Sequence, residues 1–153
     1  MWFNDIGIRV TNMEKSLEFY CDVIGLKEVA RGGSKDSGAF YVLLRDPRSG
    51  QKLELNWYSP DPKKSKFGSP YVLGDALDHM EVRVESVPDT LKQLEALGIK
   101  AIDMRPYFDP GEYPYGTNRK GHRIAYISDP DGIQICLYDH PEESPNTPPG
   151  DGY

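Results

Sequence analysis

Residues 4–20 read NDIGIRVTNMEKSLEFY and residues 78–94 read DHMEVRVESVPDTLKQL, and the two fall on one another when the chain is slid along itself by 74 positions. Ile6 then meets Met80, Ile8 meets Val82, Arg9 meets Arg83, Val10 meets Val84, Ser16 meets Thr90 and Leu17 meets Leu91. One residue is lost after that. IGLK (24–27) then falls on LGIK (97–100), and VLLRDPRSGQKLEL (42–55) falls on AYISDPDGIQICL (125–137). A match at one block is weak; agreement over several ordered blocks identifies a duplicated unit.

The first copy shows what that unit is. Ile6, Ile8 and Val10 alternate and predict a strand. Thr11 or Asn12 offers a helix cap, with Glu14 at capping-box spacing from Thr11. Leu17, Phe19, Tyr20 and Ile24 form a helical stripe that stops at Gly25. LKEVA (26–30), AFYVLLR (39–45) and QKLELNWY (51–58) read as strands, with DPRSG (46–50) as a turn. In the second copy Pro88 suits the first turn of a helix, where its missing N–H is not needed. The expected fold class is α+β: two βαβββ modules forming a cupped mixed sheet. The expected organisation is a single domain over 1–141, with repeats at 1–58 and 77–140 joined by loop 59–76. The acidic, Pro-rich stretch 142–153 has little to bury and reads as a flexible tail. Two long connections, 58–76 and 104–121, are rich in Pro, Gly and Tyr and have the length of lids or binding loops.

A chain of 153 residues, 38% apolar and 27% charged, suits a globular protein with a sizeable core. Its net charge of −6 argues against nucleic acid or an anionic membrane as main partner, since both call for clustered Lys and Arg. No apolar run reaches the length of a membrane span, and the opening MWFNDIGIRV lacks the basic stretch of a secretory leader. Two cysteines, Cys21 and Cys136, are too few for a disulfide framework. The expectation is a cytoplasmic protein with reduced thiols.

The duplication also pairs chemically able residues. Asp5 falls on His79 in the first strand of each copy, and Glu54 falls on Cys136 in the last. All four side chains are able to ligate a metal. Alternation sets Glu54 on the face opposite Leu53 and Leu55, and sets Cys136 and Tyr138 opposite Ile135 and Leu137. Taken singly, Glu54 reads as the polar face of a half-buried strand, Cys136 as a small buried apolar residue and Asp5 as a turn residue. Their recurrence at repeat-equivalent positions favours the metal set Asp5, Glu54, His79 and Cys136. His122 and His140 are the other histidines. His140, four residues beyond Cys136, is either a substitute ligand or an exposed strand-end residue.

The stretches IRVTNMEKSLEFYCDVIGLK, LELNWY, YVLGDALDHMEVRVE and IAYISDPDGIQICLY resemble the vicinal oxygen chelate superfamily (glyoxalase, bleomycin resistance and dioxygenase proteins), and within it the glyoxalase I-like branch. The resemblance covers about residues 4–138. It implies paired βαβββ modules, a homodimer, and four metal ligands on the first and last strands of the modules. Carried over, these are again Asp5, Glu54, His79 and Cys136. Glu54 and His79 match the usual residue types, Asp5 stands where His is usual, and Cys136 stands where Glu is usual. Arg9 matches an arginine that contacts a glutathione carboxylate, and Asn56 and Tyr58 replace a substrate-binding Thr and Asn.

The resemblance implies a metal-dependent lyase or isomerase acting on a small carbonyl or oxyanion substrate through an enediolate-type intermediate, like lactoylglutathione lyase. The cofactor would be a divalent ion (Zn, Ni, Mn or Fe), a thiolate ligand favouring the softer ions. Cys136 replaces the last-strand Glu that moves a proton in such enzymes, which leaves Glu54 as the expected catalytic base. The rival reading is a metal-free drug-binding protein of the bleomycin-resistance type. The negative charge, Trp57 and ten tyrosines, several of them in PYFDPGEYPY (106–115), fit a cationic ligand. A ring-cleaving dioxygenase calls for two His and one Glu around iron and ranks below both.

Overall fold

The computed structural model describes residues 3–68, 70–74, 76–102, 116–117 and 122–139. The chain divides into two units, Met1–Leu73 and Gly74–Tyr153. The first consists of β1 (Ile6–Val10), α1 (Met13–Leu17), β2 (Lys27–Ser34), β3 (Ala39–Arg45) and β4 (Lys52–Tyr58). Its sheet runs in the order β1-β4-β3-β2, with β1 parallel to β4 and the other pairs antiparallel. Ile8, Val10, Val42, Leu44, Leu53 and Leu55 are buried on these strands, as alternation predicts, and Met13, Phe19 and Tyr20 are buried on the helical segment.

Local chemistry sets the ends of that segment. The Asn12 side chain accepts the Lys15 backbone N–H at 3.1 Å, so Asn12 is the cap that forms. Beyond Leu17 the winding widens into a π-helical stretch, Glu18–Val23, with Ile24 N–H donating to Phe19 C=O at 3.0 Å. The periodicity predicted an ordinary helix here; the π winding accompanies burial of both Phe19 and Tyr20, whose rings meet edge to face. Gly25, with φ of +95°, turns the chain out of the helix at the expected place.

The second unit repeats the design with β5 (Met80–Arg83), α2 (Val87–Ala96), β6 (Gly116–Thr117), β7 (Arg123–Ser128) and β8 (Gln134–Asp139). Its sheet has the equivalent order β5-β8-β7-β6, with β5 parallel to β8. The α+β class and the βαβββ order are thus both observed, with one four-stranded mixed sheet in each unit. Val87, Leu91 and Leu94 of α2 are buried, as are Ala125, Ile127, Ile135 and Leu137 on the strands. Asp139, buried at the end of β8, accepts the Val87 N–H at the start of α2 and the Arg123 guanidinium at 2.8 Å. Strand and helix are tied together by that one carboxylate.

The hairpins before the last strands are built alike. Asp46 accepts the Arg48 N–H at 2.8 Å, while Asp129 accepts the N–H groups of Asp131 at 2.9 Å and Ile133 at 2.8 Å. Gly50 and Gly132, at φ of +76° and +93°, occupy the left-handed positions that these turns require. The segment expected as a loop at 104–121 contains strand β6, whose two residues carry no readable alternation. PYFDPGEYPY (106–115), His140 and the tail 142–153 lie outside the described residues. Among the described residues no helix is long and apolar enough to cross a membrane.

Candidate metal site

In the second sheet Glu81, Tyr126 and Cys136 share the face opposite Ile135 and Leu137, and His79 immediately precedes β5. Alternation produces this set. His79 and Glu81 are two residues apart, and β5 pairs with β8 so that Glu81 stands directly beside Cys136. On the other side of β8, Tyr126 of β7 is the direct partner of Cys136. His79, Glu81 and Cys136 each offer a ligand atom, and the three atoms lie within 4.8 Å of one another. The Glu81 Oε2 to Cys136 Sγ distance is 3.9 Å.

His79 Nδ1 is 2.5 Å from Asp78 Oδ2, an arrangement that orients the imidazole and leaves Nε2 for coordination. The ring also meets Tyr126 edge to face, with centroids 5.6 Å apart. Cys136 is buried, and burial pushes its thiol up to about 11; the neighbouring Glu81 carboxylate adds to this, while the Tyr126 hydroxyl opposes it. Burial and then the Cys136 thiol push the Tyr126 phenol up to about 12. Without a cation the site therefore holds a protonated thiol, and a bound metal has to displace that proton.

The donor types fit a divalent ion. Imidazole, carboxylate and thiolate are ligands of tetrahedral zinc, whose donor atoms stand roughly 3.3–3.8 Å apart. The observed spacing is within side-chain rotation of that. His79, Glu81 and Cys136 would each offer a divalent ion one donor atom.

The expected site residues divide between the units. His79 and Cys136 come together in the second. In the first, Asp5 precedes β1 and accepts a hydrogen bond from Asn4, and Glu54 on β4 accepts one from Asn56 Nδ2 at 3.0 Å. Arg9 donates to the backbone carbonyls of Gly68 and Pro70, the latter at 3.2 Å, and lies over the Tyr71 ring at 5.4 Å. Its guanidinium thus ties Gly68, Pro70 and Tyr71 of the 59–76 connection to β1. Tyr58 packs against Phe67 with centroids 5.6 Å apart. His122 contacts the Tyr138 ring edge-on at 5.0 Å.

Sequence reasoning missed Glu81 and Tyr126. Under the repeat alignment Glu81 falls on Gly7, so a search for positions where both copies hold a ligand passes over it. The signal was the spacing His79-x-Glu81 at the entry to a strand, which brings both side chains to one side of the chain.

Duplicated βαβββ units with a His, Glu and Cys cluster beside the last strand define a small α+β protein equipped to hold a divalent cation. The chain belongs to the Glyoxalase/Bleomycin resistance protein/Dioxygenase superfamily, which matches residues 2–137. A "Probable lactoylglutathione lyase" of Synechocystis sp. is 30% identical over 135 residues, covering 85% of this chain and 88% of that protein. Among solved structures, the trypanothione-dependent glyoxalase I of Leishmania major superposes with a TM-score of 0.61 at 21% identity, covering 87% of this chain and 82% of that one. The fosfomycin resistance protein FosX of Listeria monocytogenes, complexed with Mn(II) and sulfate, does so with 0.62 at 13% identity, covering 91% and 92%. At those identities the superpositions establish the shared fold.

Proposed function

We propose that this protein is a metal-dependent lyase or isomerase of the glyoxalase I type, acting on a small carbonyl substrate. The observation that carries this reading is the convergence of His79, Glu81 and Cys136 in a chain matched over most of its length by a relative named lactoylglutathione lyase. Asp5 and Glu54 of the first unit stay in this reading as further candidate ligands. A divalent ion held there would supply Lewis-acid polarisation of the substrate carbonyl. Glu54, oriented by Asn56, takes the proton from the carbon next to that carbonyl. It returns the proton to the adjacent carbon while the hydroxyl proton passes from one oxygen to the other, so that substrate and product are isomers and no external oxidant or reductant is needed. Homodimer formation and a cytoplasmic location belong to the same reading.

The test uses the hemithioacetal of methylglyoxal and glutathione as probe, with protein loaded in turn with Zn, Ni, Mn and Fe(II). Turnover with at least one metal is expected, and Glu54→Gln should lower kcat by about 10²–10⁴-fold. No turnover with any of the four metals overturns the assignment.

A second reading, metal-free capture of a cationic small molecule, draws on the net charge of −6 and the ring pairs Phe40–Trp57 and Tyr58–Phe67. Metal analysis of protein purified without chelator separates the two. A chain that takes up no added metal favours capture.

A further inference from the structure

We propose that Glu81 is a metal ligand in this protein, supplying from the first strand of the second unit a carboxylate beside position 136, where the last strand carries a cysteine. The inference deepens the metal-dependent reading and rests on it. Its basis is a reciprocal exchange across equivalent rungs of the two sheets. In the first unit Gly7 of β1 is paired with Glu54 of β4; in the second, Glu81 of β5 is paired with Cys136 of β8. Each rung holds one carboxylate and one small residue, on opposite strands.

The geometry shows why both arrangements deliver an oxygen to a similar place on the rung. A Cβ built on Gly7 would lie 3.8 Å from Glu54 Oε1 and 3.1 Å from Asn56 Nδ2, so the β4 carboxylate reaches over position 7. In the second unit the carboxylate reaches the other way, with Glu81 Oε2 at 3.9 Å from Cys136 Sγ. Carboxylates at both positions of one rung would face each other as like charges. Glycine makes the room in one unit and cysteine in the other.

Glu81 also has the surroundings of a ligand. Its neighbours on the face are a histidine oriented by Asp78 and a thiol, and both are metal donors. Among the described residues no Lys or Arg forms an ion pair with it. A carboxylate beside a thiol, with no cation to compensate it, is suited to receive one.

The experiment measures metal affinity of the full chain after removal of bound metal. Zinc is titrated against a chromophoric chelator, and Co(II) is followed by its thiolate charge-transfer absorption. Wild type should bind near one ion per chain, with a Co(II) band that Cys136→Ser removes. Glu81→Gln, which keeps the shape of the side chain, should weaken zinc binding at least about tenfold while keeping that band. Glu81→Gly should weaken binding similarly. The double variant Glu81→Gly/Cys136→Glu rebuilds the Gly–Glu rung of the first unit and should regain most of the zinc affinity. Wild-type affinity in Glu81→Gln overturns the assignment of Glu81 and leaves the metal-dependent reading standing. Failure of wild type to bind any metal overturns both. Loss in Glu81→Gly alone, with Glu81→Gln unchanged, marks a strand effect and also overturns the ligand role.

Discussion

A thiol buried beside a carboxylate releases its proton reluctantly, and Cys136 is such a thiol. Its folded value of about 11 lies above the ordinary 9.0, so between those values the folded chain keeps a proton that the unfolded chain gives up. The resulting contribution to stability is complete below about pH 9 and is lost as pH rises through about 11. Tyr126, raised from 10.0 to about 12, adds loss in the same direction at slightly higher pH. Urea denaturation of metal-free protein should therefore show stability falling above pH 9, and Cys136→Ala should flatten the lower part of that fall. An unchanged slope in the variant would mean that the thiol ionises in the folded state as readily as in the unfolded one. Chemical type and face were legible in the sequence for Cys136 and Glu54. The contacts of Arg9 were not: the Gly68 and Pro70 carbonyls to which its guanidinium donates lie some 60 positions away in a Pro/Gly-rich segment without periodicity.

At the scale of elements, polar side chains that satisfy backbone groups set the boundaries. Asn12 closes the N-terminus of α1, where Thr11 offered an equally readable cap. Asn12→Ala should cost about 1 kcal/mol in unfolding free energy, and Thr11→Ala less. The reverse order in denaturant melts would show that Thr11 is the working cap. Strands β3 and β4 are legible almost to the residue, because an edge of turn chemistry bounds each alternating run. Strand β6 and the π-helical stretch are not. The first is too short for a period to register, and the second depends on how two consecutive aromatic rings pack.

Across the whole molecule, two units of one topology each carry their own buried apolar face. Metal binding in the second unit is expected to stabilise the native chain by mass action, about 2.7 kcal/mol at a free zinc concentration of 100 Kd. For a chain of this size that corresponds to a rise in Tm of roughly 5–10 °C. The rise should be reversed by chelator and reduced in Cys136→Ser; differential scanning fluorimetry reads both. A Tm unmoved by zinc would argue for the capture reading.

The sequence by itself determined the duplication, the βαβββ order, the shared faces of Leu53 with Leu55 and of Ile135 with Leu137, and the pairing of Glu54 with Cys136 as repeat equivalents. Those features rest on period-2 alternation, turn residues and self-similarity, all of which are local or internal to the string. Only tertiary structure decided that Glu81 stands beside Cys136. The register of two parallel strands 55 residues apart is set by how their apolar faces seat together in the core, and no local pattern encodes it. That register turns a cysteine in place of a carboxylate into one half of a Glu–Cys rung.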